Sequence, residues 1–203
     1  TGSEYAVDLL CTDYDTTYNS LDRSAITAAV SAAKAEDPDI IVAMLHWGSE
    51  FESDISKPQQ EAADLLIENG VDVILGSHPH IVGKMEFKDV KVGGKDKRVF
   101  IAYSLGNFLV GNERGQASNA PASFESVILN LEFTKENGET TISGCNYVPL
   151  YIMDNGEDVI NRYQVRNVYD VLDNSPDDDT KALMEQAIAH LKADTESTFD
   201  RGN

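Results

Sequence analysis

Val71-Asp72-Val73-Ile74-Leu75-Gly76-Ser77-His78-Pro79-His80 joins a short apolar run to a stiff turn. A run of this length, dense in β-branched residues, reads as a strand buried in a largely parallel sheet. Proline fixes its own φ and restricts the residue before it, so Pro79 holds the flanking imidazoles in a rigid turn. Imidazole is the commonest metal ligand and the usual acid–base group near neutral pH. A His-Pro-His turn at a strand end therefore reads first as a metal or phosphate site.

Working outward, Pro58 suits a first helical turn and Gly70 the position just past a helix end. Between them, Ala62, Leu65 and Leu66 share one side while Gln60, Glu61 and Glu68 lie outside. Upstream, Asp39 to Leu45 is a second continuous apolar run, expected to be a strand buried on both faces. Strand, helix and strand make a crossover unit, and such units place their strands parallel. Both strands then end at one sheet edge, where open α/β sheets hold their ligands. His46 is thereby expected beside His78 and His80.

The flanking segments complete an α/β pattern. Leu21 to Asp37 is rich in alanine, with Ile26, Val30 and Ala33 at helical spacing, and Pro38 ends it. Met85 to Phe87 and Val99 to Tyr103 read as strands joined around Gly93-Gly94. Ser104 to Phe108 forms another turn at a strand end, and Gly111 to Pro121 is polar and loop-like. Ser126 to Phe133 and Thr140 to Val148 form an antiparallel pair around Asn137-Gly138. After Met153 the pattern becomes helical. Ser175 is expected to cap the last helix and Pro176 to start it, with Asp177, Asp178 and Asp179 at its positive end. Leu183, Ala187 and Leu191 form its apolar stripe, and His190 is read as a surface histidine. We divide the chain at 153/154, with residues 154–203 as a helical extension.

The 203 residues suffice for one domain with a substantial core. No apolar run approaches the roughly 18 residues that span a bilayer. No signal peptide is visible and the first residue is Thr1, so the chain is read as a processed product or an excised piece of a longer one. A formal net charge of -19 disfavours nucleic acid, whose affinity depends on Lys and Arg neutralising phosphates. Cys11 and Cys145 make no metal motif; a disulfide between them is left open.

His46-Trp47-Gly48-Ser49-Glu50 supplies the third imidazole and a carboxylate. Several neutral imidazoles at one edge favour zinc or a transition metal. Glu50 is suited to orient an imidazole or to act as a general base. Asn107 is read either as an amide bridging a ligand oxygen or as a turn-stabilising residue after Gly106.

His46 to Glu50, Pro58 with Gln59 or Gln60, Gly70 to His80, and Tyr103-Ser104-Leu105-Gly106-Asn107-Phe108 occur in an order and spacing that resembles the bacterial capsule synthesis proteins of the CapA type. That family is associated with poly-gamma-glutamate capsules and with the calcineurin-like metallophosphatase superfamily. The resemblance runs from about Leu21 to Leu109. It implies an α-β-β-α sandwich of mixed sheets with metals at the strand ends. It also implies His46, His78 and His80 as ligands of a divalent metal (Mn, Zn or Fe), with Glu50 and Asn107 as catalytic candidates. In the intact parent, a metal-bound water would attack a phosphoester or related bond.

This sequence departs from the superfamily before Leu21. Asp13 and Asp15 are present there, but the Gly-Asp and Asn-His phrases are absent. The chain thus resembles the C-terminal half of the domain, with an incomplete metal site and no activity expected of it alone. Its expected partners are the missing N-terminal half or a second copy, together with capsule-synthesis membrane proteins. The resemblance places it at the extracellular face of the bacterial envelope. The alternative is a non-catalytic capsule-assembly or polymer-handling module that keeps the fold without hydrolysis.

Overall fold

Four strands make the first sheet: β1 (Val42–His46), β2 (Val73–Ser77), β3 (Met85–Val92) and β4 (Lys95–Ala102), in the order β1-β2-β4-β3. The computed structural model describes residues 10–12, 20–109, 120–157 and 160–194. Asp13, Asp15 and the polar stretch 111–119 lie outside the described residues. β1, β2 and β4 run parallel, with His46 in register with Ser77, and β3 returns antiparallel to β4. Gly93 and Gly94, both at positive φ, turn the β3–β4 hairpin.

Helices α1 (Arg23–Ala35) and α2 (Lys57–Asn69) cover one face of this sheet. The Asp22 carboxylate caps α1, and Gly70 ends α2 in the left-handed region. Ile26, Val30, Ala63 and Leu66 pack there against Ile74, Val99 and Ile101. The alternate residues, Val73, Phe100 and Ala102, face the other way onto Val127, Ile142 and Tyr147 of a second sheet. That period-two division is what a sheet buried on both faces requires.

The second sheet is antiparallel: β5 (Glu125–Glu136), β6 (Glu139–Asp154) and β7 (Tyr163–Asn167), in that order. Asn137-Gly138 turns the first hairpin, as expected. Helices α3 (Val168–Asp173) and α4 (Asp178–Asp194) close the outer side, where Met184 and Ala187 meet Ile152 and Val168. The layers therefore run helix, sheet, sheet, helix.

Four local expectations are corrected. The region after Met153 begins with strand β7, which extends the second sheet through β6 before the helices start. The cap of α4 is Asp177, whose carboxylate accepts from the Thr180 amide (2.8 Å), rather than Ser175. Its buried stripe uses Met184, Ala187 and Leu191, and leaves Leu183 exposed. The fourth correction concerns β1, which is not buried on both faces. Ile41, Ala43 and Leu45 pack under the helices, but Val42, Met44 and His46 face the other way, and Met44 is 82% exposed. Among the described residues β1 is one edge of its sheet, and no strand of the second sheet pairs with it.

Candidate functional site at the strand ends

Three parallel strands deliver the motifs to one edge. His46 ends β1, the His78-Pro79-His80 turn follows β2, and Asn107 lies five residues past β4. The loops are tied together by backbone bonds. Trp47 N–H donates to Ser77 O (3.1 Å) and Phe51 N–H to Pro79 O (2.8 Å), while the Ser77 hydroxyl donates to Leu45 O (3.0 Å). His78 and His80 both sit at positive φ, +102° and +62°. Non-glycine residues adopt such values at a cost of about 1–3 kcal/mol each, and they concentrate at functional sites. The proline turn therefore holds both imidazoles in conformations that a free chain avoids.

The rings converge as the parallel topology predicts. His46 and His78 have centroids 4.4 Å apart, and His78 and His80 6.3 Å. Phe51 stacks on the His80 ring at 5.7 Å. The Glu50 carboxylate lies 3.8 Å from His80 Nε2, both groups being substantially exposed. Burial first, then the neighbouring His46, hold His78 below the ordinary imidazole pKa, so its neutral form is favoured. Asn107 Oδ1 lies 2.8 Å from His80 Nδ1, and Asn107 Nδ2 donates to Ser123 O (3.1 Å).

A groove of about 390 Å³ opens beside His46. Met44, Leu75, Leu105, Phe108 and Val127 give it apolar walls. His190 stands apart from this cluster: its Nδ1 meets the buried Glu125 carboxylate at 2.9 Å. It is therefore an anchor of α4 on β5 and not merely a surface residue. Cys145 is a free thiol, and burial pushes its pKa up to about 12.

The chemistry of three imidazoles suits zinc or a transition metal. Among the described residues, however, no group of three or more His, Cys, Asp or Glu side chains is arranged to hold a metal ion. The imidazoles do not by themselves fit a complete metal site, and one would require further donors.

Several residues of the site carry structure that their identity alone does not announce. Trp47 donates its indole N–H to Tyr103 O (2.8 Å) and stacks on the Tyr103 ring at 5.6 Å. This contact passes over Gly76, where a Cβ would lie 2.0 Å from Tyr103 O and 2.5 Å from the indole nitrogen. Gln59, not Gln60, is the buried glutamine of the motif. It forms a capping box with Ser56 and packs under Gly48, which sits at φ +80°. Gln60 instead bonds Asp64 on the surface.

The model of the bacterial capsule synthesis protein family PGA_cap matches residues 5–112, which include every candidate site residue. The chain belongs to this family. The family match begins upstream of Leu21, where the motif resemblance starts. Over 82 residues the chain is 34% identical to the capsule biosynthesis protein CapA of Bacillus anthracis, covering 38% of this chain and 18% of that protein. Over 80 residues it is 36% identical to the PGA biosynthesis protein CapA of Bacillus subtilis (strain 168), covering 39% and 19%. The aligned region thus spans about a fifth of each of these relatives.

Proposed function

We propose that this chain takes part in capsule biosynthesis at the bacterial cell envelope, and that His46, His78 and His80 contribute part of a divalent-metal site. Its remaining donors would come from outside the described residues, either from the rest of a longer parent or from a second copy. The activity proposed for the intact parent is metal-dependent phosphoester hydrolysis, with Glu50 as the proton-transfer or orienting carboxylate. Family membership supports the capsule role. The observation that carries the site reading is the convergence of three imidazoles from two parallel strand ends, beside an exposed carboxylate.

The test uses the full-length parent. Elemental analysis after dialysis without chelator should find near-stoichiometric Mn, Zn or Fe, and combined His78→Ala and His80→Ala substitution should remove it. Phosphoester turnover should require that metal and stop with chelator. Metal that survives the double substitution would overturn the site reading. Metal bound without turnover on a panel of phosphoesters would favour a non-catalytic assembly module instead.

The charge balance also bears on the polymer. A chain at -19 repels polyglutamate unless cations bridge the two, so we propose no direct binding in the absence of divalent ions.

A further inference from the structure

We infer that Asn107 is a positioning residue: it fixes His80 as the Nδ1–H tautomer and so presents the Nε2 lone pair toward Glu50. A neutral imidazole carries one donor and one acceptor nitrogen, and its hydrogen-bond partners choose between them. The choice here follows from a backbone group. Ser123 O only accepts, so the Asn107 end facing it at 3.1 Å must be the NH2. The carboxamide oxygen is then the end facing His80, at 2.8 Å. An oxygen accepts, so Nδ1 must carry the proton. Reversing the amide would set two acceptors against each other at Ser123.

Nε2 is left as the basic atom of the ring, with Glu50 Oε1 at 3.8 Å, beyond direct hydrogen-bonding reach. The ring plane is further set by Phe51 stacking on it and by the positive φ of His80. The order Ser123 carbonyl, Asn107 amide, His80 imidazole thus runs from the buried first residues before β5 out to the exposed edge. In this arrangement Asn107 acts through His80. The contacts from Ser123 O to His80 involve no ion, so the inference stands separately from the metal proposal.

The test is nitrogen NMR of ring-labelled histidine in this chain, with a His80→Gln variant assigning the His80 signals. Long-range proton–nitrogen correlations distinguish a protonated Nδ1 from a protonated Nε2. In the neutral form, His80 should show Nδ1–H over Nε2–H by about tenfold, the preference one net hydrogen bond provides. Asn107→Leu removes the acceptor and should release a mixture. A wild-type spectrum with Nε2–H dominant overturns the inference, as does an Asn107→Leu spectrum unchanged from wild type. Should Asn107→Leu fail to fold, the wild-type spectrum decides alone. A metal-free parent with Nδ1–H at His80 would refute the metal proposal and leave this one standing.

Discussion

Gly76 is the residue on which the strand-end edge closes. A side chain there would meet the Tyr103 carbonyl and the Trp47 indole, and making room would part β2 from the chain leaving β4 and break the indole bond. Gly76→Ala should therefore cost about 3 kcal/mol or more in urea unfolding, the upper range for forced overpacking. Gly93 offers the contrast. It lies in open space at φ +58°, so Gly93→Ala should cost only the ~1 kcal/mol of an alanine at positive φ. Equal losses at the two positions would refute the steric account. The glycine was visible in the sequence, but its reason was not. The close approach comes from Trp47 and Tyr103, 29 residues before and 27 after, which no local pattern relates.

At the scale of elements, the crossover that brings the imidazoles together is fastened at its far end by Asp72. One carboxylate oxygen accepts from the Ile41 amide at 2.8 Å, and the other meets Lys97 Nζ of β4 at 2.8 Å. Lys97 also donates to Gly70 O at 2.7 Å, joining the end of α2 to the same knot. All of these groups are largely buried, where a bond to a charged partner contributes more than one at the surface. Asp72→Ala should lower stability by about 2 kcal/mol, and Asp72→Asn by less, because the amide oxygen still accepts from Ile41. Chemical denaturation of both variants checks the order, and reversed losses would break the argument. The elements themselves were largely legible from the chain. Periodicity, Pro58 and Gly70 gave α2, Asn137-Gly138 gave a hairpin, and parallel pairing gave the edge where the histidines meet. The start of α4 was misplaced because Ser175 and Asp177 both have capping chemistry, and only the Thr180 contact distinguishes them. Strand β7 was missed because Tyr163–Asn167 is short and lies within a charged stretch beside the helices.

For the whole molecule, the apolar composition of β1 reported a strand, but not that one of its faces is left uncovered among the described residues. Nothing in Val42-Ala43-Met44 tells a central strand from an edge strand; that depends on how far the second sheet reaches. Natural edges are usually protected by charge, proline or bulges, and β1 has none of these. Val42 and Met44, with Phe108 beyond β4, present apolar surface beside the groove. We expect concentration-dependent association of this chain in light scattering, strengthened by salt as the repulsion between chains at -19 is screened. Met44→Lys should weaken that association at least about tenfold while leaving the fold intact by circular dichroism. A wild-type chain that stays monomeric at every concentration and salt level would contradict the expectation. The indole bridge over Gly76 has one more consequence. Trp47 is the sole tryptophan of the chain, and it directly follows His46. The indole emission of this protein therefore originates one residue from the imidazole cluster. Without any attached dye, a shift in its colour or intensity reads out what happens at that edge.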